Sequence, residues 1–326
     1  MARINKILIT ALALAITWQA NALTLSSPTD LTLKTSVKFP KAGEAFRVEA
    51  QSFAFDLTRA DIDWFLNGKL AASGRGLRAQ EFTASKLGSV MNMRVAAISE
   101  EGVGYESLLS IPINDADLVV RPLTYTPSFY RGSALPTPGS LVEITAMPHV
   151  FRGGARISAQ NLVYEWKVDN IFLGNESGGG KNKLLLSLAD VSGSSYLVSA
   201  KVSAPGSNVS VERSIRVKTA SPEILFYQIN SLAGTRPFAF SGLRISAGEK
   251  ISISAEPYFF DLASLAKAVF SWLADGVPLT DVQNPRLLEL KSPEGTDSQG
   301  TFNLKIEDKN TIFQNAEANL SITSSL

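Results

Sequence analysis

The chain has 326 residues, of which 45% are hydrophobic and 19% charged, a composition that suits two or three packed domains and excludes a disordered chain. Its 31 basic and 30 acidic side chains nearly cancel, and no basic stripe is present that would neutralise the phosphates of a nucleic acid. Because the chain has no cysteine, disulfides and thiolate metal sites are excluded, and apolar burial must hold each domain together.

The first 22 residues have the three parts of a secretory signal peptide. Arg3 and Lys6 make a basic start, residues 7–16 (ILITALALAI) are apolar, and Ala20-Asn21-Ala22 forms an A-x-A cleavage site. This apolar stretch is shorter than the about 20 residues that a bilayer core requires. We therefore predict cleavage after Ala22, a secreted or extracytoplasmic protein (cell surface or periplasm), and no transmembrane span in the mature chain. An uncleaved anchor or a buried helix is the alternative.

A fixed order of strand and turn signals follows the signal peptide. Gly43 precedes the run AFRVEAQ, in which apolar residues alternate with polar ones, as they do in a half-buried strand. Trp64 comes next, and the pair Asn67-Gly68, which tolerates positive φ, predicts a tight hairpin turn. Gly88 then precedes a second alternating run, VMNMRVAAI.

The same order recurs twice, around Trp166 and Trp272, at intervals of about 100 residues. The corresponding turn residues are Gly139, Asp169-Asn170 and Gly193 in the second copy, and Gly248, Asp275-Gly276 and Gly300 in the third. Many short strands at this spacing, separated by Gly, Pro, Asn and Asp, predict antiparallel sandwiches in which the three tryptophans are core residues. The only helical expectation after the signal peptide is a single turn within DLASLAKAVF (residues 261–270).

The segments WLADGVPL (residues 272–279) and WFLNGKL (residues 64–70) resemble the tryptophan strand and hairpin of immunoglobulin-like domains, and DSQGTF (residues 297–302) is similar to the corner motif of that family, with phenylalanine for tyrosine. Polycystic-kidney-disease-type (PKD-type) repeats share the general plan. The resemblance implies an all-β protein of three tandem immunoglobulin-like β-sandwich domains, of the kind found in bacterial secreted surface proteins. It implies a fold and no particular activity.

We place the signal peptide at 1–22 and the three domains at 28–114, 115–219 and 220–326. The joints between domains are short and polar, which predicts limited hinging. Two aromatic segments, 122–139 and 222–240, open the later domains. We expect them to be lead-in strands that pack on the preceding domain.

The chain offers little catalytic chemistry. His149 is the only histidine and no G-x-S-x-G motif accompanies it, so we interpret it as structural. The stretch GNESGGGKNK (residues 174–183) fails the phosphate-loop pattern and reads as a hairpin loop. The pairs Asp61/Asp63 and Asp115/Asp117 raise the alternative of calcium at a joint, although no D-x-D-x-D-G loop is present. We predict a protein that is not an enzyme and has no cofactor and no metal.

Clustered aromatic residues are the candidate binding residues, because exposed rings stack on sugars or contact proteins. The six residues are Tyr125, Phe129, Tyr130, Tyr258, Phe259 and Phe260. Packing inside or between sandwiches is the competing interpretation, and it is favoured because aromatic residues dominate sandwich cores.

The leading hypothesis is a secreted, non-catalytic module for adhesion or scaffolding at a bacterial cell envelope, with an unknown protein or glycan as its partner. One alternative is a carbohydrate-binding module that uses exposed aromatic rings. The other is a subunit of a larger surface assembly, such as a pilus-related fibre, built by pairing of edge strands.

Overall fold

The computed structural model of the protein describes residues 30–230, 232, 234–280 and 282–325, and these residues form two compact units. The first unit contains residues 30–84 and 90–111, and the second contains 85–89 and 112–325. The predicted signal peptide at 1–22 lies outside the described residues. The predicted domain limits stay predictions, because the division into compact units does not separate the second sandwich from the third.

The first sandwich is built from strands between residues 32 and 112. They are β1 (Thr32–Thr35), β2 (Ala45–Gln51), β3 (Asp61–Leu66), β4 (Lys69–Arg75), β5 (Ala79–Thr83), β6 (Val90–Ile98) and β7 (Gly104–Pro112). Two sheets, ordered β1-β2-β5 and β4-β3-β6-β7, enclose the core. The expected alternation on β2 is confirmed, because Phe46, Val48 and Ala50 are buried while the residues between them are not.

The second sandwich covers residues 115–218. Its strands are β8 (Asp115–Pro122), β9 (Leu141–His149), β10 (Phe151–Arg152), β11 (Ala155–Arg156), β12 (Val163–Val168), β13 (Ile171–Phe172), β14 (Gly178–Gly179), β15 (Lys183–Ser187), β16 (Ser195–Ser203) and β17 (Ser210–Lys218), with 3-10 turns at Ala159–Asn161 and Gly174–Glu176. One sheet runs β15-β9-β8 and the other β13-β12-β16-β17, with β14 also paired to β12.

The third sandwich covers residues 223–325 and belongs to the same compact unit as the second. Its elements are β18 (Glu223–Asn230), β19 (Gly234–Phe240), β20 (Gly242–Ser246), β21 (Lys250–Tyr258), α1 (Leu262–Leu265), β22 (Val269–Ala274), β23 (Val277–Pro278), β24 (Leu287–Lys291), β25 (Ser298–Glu307) and β26 (Asn315–Ser325). The sheets are β19-β18-β21-β24 and β20-β26-β25-β22-β23, and β20 pairs with β26 in parallel. The single helical turn predicted within residues 261–270 is α1, in which the Asp261 carboxylate accepts the N–H groups of Ala263 and Ser264.

Trp64 on β3, Trp166 on β12 and Trp272 on β22 are buried in the cores of their sandwiches, as predicted. Each indole Nε1–H also donates to a backbone carbonyl further along its own sandwich: Trp64 to Leu77 at 2.8 Å, Trp166 to Lys181 at 2.9 Å and Trp272 to Pro285 at 2.9 Å. A buried indole needs an acceptor, so this contact fixes the ring and also satisfies a carbonyl that has no strand partner.

The hairpin turn after each tryptophan is left-handed at both of its central residues. Asn67, Asp169 and Asp275 have φ of 51°, 49° and 49°, values that suit asparagine, aspartate and glycine. Gly300 differs from its predicted role, because it lies inside β25 instead of preceding the strand. The strand begins two residues earlier, since Ser298 already pairs with Ser324 on β26.

Candidate functional site

The segment that opens the second sandwich lies against the third. Residues 123–139, between β8 and β9, form a loop and not the lead-in strand that we expected. Its only strand-like pairing among the described residues is a single bridge between Thr124 and Asp261. The Tyr125 N–H donates to Phe260 O at 2.8 Å, and the Phe259 N–H donates to Tyr125 O at 2.7 Å. Backbone pairing therefore attaches this loop to the end of β21.

A buried glutamine of the third sandwich makes further hydrogen bonds to this loop. We call the contact between loop 123–139 and the third sandwich the joint. The Gln314 side chain is fully buried, and its Nε2 donates to Thr137 Oγ1 at 2.9 Å and to Pro138 O at 2.6 Å. Its Oε1 accepts the Asp261 N–H at 2.7 Å. All the strong donors and the acceptor of this amide are used, so the loop and the third sandwich are joined by satisfied buried hydrogen bonds.

The rings of the loop interlock with the rings of the third sandwich. Phe129 meets Tyr227 edge-to-face with centroids 5.0 Å apart, and Tyr130 meets Tyr258 at 5.1 Å and Phe259 at 6.1 Å. These separations are typical of favourable aromatic pairs, each worth about 0.5–1.5 kcal/mol beyond area burial. The cluster therefore contributes to the joint as well as forming a surface.

An open cleft of about 830 Å³ lies over this cluster. It is lined by Ser128, Phe129, Tyr130, Arg131, Tyr227, Thr235, Pro237 and Tyr258. Such a volume lies within the range of about 300–1,000 Å³ that small-molecule sites occupy. The cleft thus combines aromatic walls with several hydrogen-bonding side chains.

Three tyrosines at or beside the cleft, Tyr258, Tyr227 and Tyr125, have a raised pKa. Burial raises the pKa of Tyr258, and the hydrogen bond that joins its hydroxyl to that of Tyr227 at 2.7 Å raises it further. Burial likewise raises the pKa of Tyr227. Beside the cleft, burial and a hydrogen bond to the Glu256 carboxylate raise the pKa of Tyr125 to about 12, and the Arg286 guanidinium lies 4.7 Å from its ring centroid. These phenols can donate hydrogen bonds throughout the neutral pH range.

The structure brings the six predicted site residues together at one joint, in different roles. Phe129, Tyr130 and Tyr258 line the cleft, whereas Tyr125, Phe259 and Phe260 pack behind it. Tyr258, Phe259 and Phe260 are buried, Tyr125 and Phe129 are half-buried, and Tyr130 is exposed by 37%. An exposed platform of all six rings is therefore absent, because the joint itself buries half of them.

Sequence reasoning did not find the polar part of the cleft. Ser128 and Arg131 flank the two aromatic residues of the loop, and their position beside Phe129 and Tyr130 is the one signal that could have identified them. Thr235 and Pro237 come from the edge strand β19, which meets the loop only after folding.

The other candidates have structural partners. His149 Nε2 lies 3.0 Å from Asp117, and Asp115 receives the Arg213 Nε at 2.6 Å. In the described part of the chain, no group of three or more His, Cys, Asp or Glu residues is placed to hold a metal ion. Among the residues that the structure describes, no helix has the length and apolar character to span a bilayer.

Comparison with known proteins gives structural similarity only. No protein-family model matches the chain, and no curated protein matches it. Among solved structures, the three N-terminal domains of the bacteriophage RB49 outer capsid protein Hoc are 12% identical, with 91% of this chain and 98% of that chain covered and a TM-score of 0.24. The central fibronectin-III array of RIM-binding protein is 11% identical, with coverages of 92% and 99% and a TM-score of 0.29.

A third similar structure is the Bacteroides ovatus protein SGBP-B of the mixed-linkage glucan utilization locus, solved with a mixed-linkage heptasaccharide; it is 13% identical, with coverages of 92% and 71% and a TM-score of 0.24. These similarities concern the fold alone. The strand order and pairing described above, together with the buried tryptophans, make this chain a tandem array of immunoglobulin-like β-sandwiches.

Proposed function

We propose that the chain is a secreted, non-catalytic protein that works as a binding and structural module at a bacterial cell envelope. The observation that carries this proposal is the joint between the second and third sandwiches, where loop 123–139 is attached by the buried Gln314 amide and presents an aromatic cleft. A rigid joint suits a module that presents a binding surface in one fixed orientation.

In this proposal Phe129, Tyr130 and Tyr258 contact the partner, an envelope protein or glycan. Tyr125, Phe259 and Phe260 hold the loop in position by packing and backbone hydrogen bonds. The signal features of residues 1–22 support export to the cell surface or periplasm, with a mature chain that begins at Leu23.

Assembly into a fibre through the edge strand beside the cleft is less well supported. The edge strand β19 is mostly exposed, but Pro237 has no N–H to donate and Arg236 carries an exposed charge. Both features discourage a neighbouring strand from pairing there. We therefore prefer binding through the cleft.

The test uses the full gene expressed in the species that encodes it. We expect the protein in an extracytoplasmic fraction, with Leu23 as its first residue and with saturable sedimentation on envelope fragments. The double variant Phe129→Ala/Tyr130→Ala should sediment at least about tenfold more weakly, as expected for aromatic anchors of an interface. Phe172→Ala, which truncates an exposed ring on β13, is the control and should bind normally.

Three results would overturn the proposal. They are retention of the uncleaved chain in the cytosol, absence of saturable binding to the envelope, and turnover of an envelope polymer by the purified protein.

A further inference from the structure

The lining of the cleft is more polar than its aromatic walls suggest. Six of its eight side chains carry a hydrogen-bonding group, and only Phe129 and Pro237 do not. A wholly apolar ligand would leave most of these groups without a hydrogen-bond partner. This composition suits a ligand that has many hydroxyl groups together with C–H faces, which is the chemistry of a sugar ring.

The two tyrosine hydroxyls at the cleft have unused hydrogen-bonding capacity. Tyr227 and Tyr258 are both buried, and their hydroxyl oxygens lie 2.7 Å apart. That bond uses only one of the two hydroxyl hydrogens, and among the described residues neither hydroxyl has another partner. A buried donor without an acceptor is costly, so an oxygen of a bound ligand would be stabilised here.

The cleft has a single charged residue, and that residue is cationic. Arg131 is exposed and makes no ion pair within the described part of the chain, and no carboxylate lines the cleft. Glu256 and Glu223 lie outside the lining, although the charges of both act on Tyr227, and the Glu256 carboxylate accepts from Tyr125 and from Ser254. A guanidinium forms its strongest contacts with carboxylate or phosphate groups, so the cleft favours an anionic ligand over a neutral one.

We infer that this cleft binds a saccharide that carries an acidic group, with the sugar ring against Tyr130, its hydroxyls on the Tyr227–Tyr258 pair and its acidic group on Arg131. This inference rests on the proposed binding function and gives it a ligand class. The face of an aromatic ring is electron-rich and packs on the polarised C–H groups of a sugar, and the partly exposed Tyr130 offers such a face directly beside Arg131.

Gly132 gives a way to move Tyr130 without removing it. A Cβ built on Gly132 would clash with the Tyr130 hydroxyl oxygen, so Gly132→Ala pushes the far end of that side chain away from its position. The ring and its hydroxyl remain in the protein, and only their placement over the cleft changes.

The experiment applies the full mature protein to a glycan array printed with acidic oligosaccharides and with neutral oligosaccharides of matched linkage, followed by calorimetry with the best binder. We expect binding to acidic glycans only. Arg131→Gln should weaken it by about 10–100-fold, the effect of losing one charge-assisted contact. Gly132→Ala and Tyr130→Ala should weaken it by at least about tenfold.

Arg244→Gln is the matched control, because it removes an exposed arginine from β20, on the other sheet of the same sandwich. It should bind like the unchanged protein. Arg131 is exposed, so its replacement leaves folding intact, and far-ultraviolet circular dichroism of each variant checks this.

A blank array, equal binding to neutral and acidic glycans, full binding by Arg131→Gln, or capture of a proline-rich peptide in competition with glycans would each overturn the inference. A blank array with envelope sedimentation intact removes the ligand class and leaves the proposed function standing. Loss of both removes the proposed function as well.

Discussion

One side-chain contact recurs in all three sandwiches of this cysteine-free protein. Each core indole is buried, and each donates to a carbonyl 13 to 15 residues further along the chain. The ring fills the space between the sheets, and the N–H fixes the segment that returns after the hairpin. One residue type therefore supplies both apolar burial and a tertiary crosslink.

The indole N–H can be tested by replacing Trp64 with phenylalanine. Trp64→Phe leaves the Leu77 carbonyl unpaired and opens space beside Phe82, so we expect the first unit to lose about 2–4 kcal/mol of unfolding free energy. Guanidinium unfolding followed by circular dichroism measures this loss. Phe53→Ser, at a fully exposed ring, should change the same transition by less than about 0.5 kcal/mol. Equal effects of the two replacements would contradict the role of the indole.

A second residue-scale prediction concerns alkaline pH. Burial raises the pKa of Tyr164 to about 12, whereas an unfolded tyrosine titrates near about 10. Between these values the folded state keeps a proton that the unfolded state has released, so the contribution of Tyr164 to stability is constant below about pH 10 and falls as the pH rises towards 12.

Tyr164→Phe should make that fall less steep, and the late component of the phenolate absorbance titration should lose one tyrosine. The same titration in guanidinium is the control, because there all tyrosines should ionise near about pH 10. A native protein in which every phenol titrates at that pH would refute the prediction.

At the scale of elements, the hairpin after each tryptophan is tied to the strand that runs beside it. The Asp275 N–H donates to Thr301 O at 2.8 Å, and the Asp275 Oδ1 accepts the Thr301 N–H at 2.8 Å. Asn67 makes the same reciprocal pair with Asn92, and Asp169 makes it with Leu197. The Asn or Asp side chain thus adds one hydrogen-bonded pair to the sheet, beyond the last residue of the strand.

This tie predicts a difference between two replacements of Asp275. Asp275→Ala removes the acceptor and places alanine at a φ of 49°, so we expect a loss of about 1–3 kcal/mol in the third sandwich. Asp275→Asn keeps an acceptor oxygen and a residue that tolerates this φ, so its loss should stay below about 1 kcal/mol. Denaturant unfolding of both variants measures the difference. A larger loss in Asp275→Asn would refute the reciprocal pair.

At the scale of the whole molecule, the second and third sandwiches form one compact unit through contacts that lie far apart in the sequence. Gln314, near the end of the chain, binds Thr137 and Pro138, and the Asp190 carboxylate accepts the N–H groups of Ile312 and Phe313. Because both Asp190 oxygens and every strong group of the Gln314 amide are used, this joint is specified by polar groups as well as by the aromatic cluster.

Gln314→Ala tests how much the joint depends on that amide. It removes three buried hydrogen bonds, so we expect exchange of the Tyr125 and Asp261 amide hydrogens to become about 10–100-fold faster. Hydrogen exchange with mass spectrometry reads this out on the intact protein. Lys309→Ala, at an exposed position in the same loop, should leave the exchange unchanged. Equal protection in both variants would show that the amide does not hold the joint.

The sequence determined most of the elements of this protein, because their signals are local, whereas segment 123–139 was expected to be a strand and is a loop. Alternating apolar residues place one face of β2 in the core, and a tryptophan followed by a pair that tolerates positive φ specifies strand and hairpin, whatever lies elsewhere. The same local patterns specified the recurrence of the sandwich and the turn at α1.

Only the tertiary structure decided which aromatic residues are buried and which line a cleft. Tyr130 and Tyr258 meet because loop 123–139 docks on the following sandwich, and the groups that fix the loop, Gln314 and Asp261, lie more than 100 residues away from it. No periodicity relates such distant positions, and an exposed ring and a buried ring look alike in a sequence. Burial of an aromatic side chain depends on what packs against it, and here that is another sandwich.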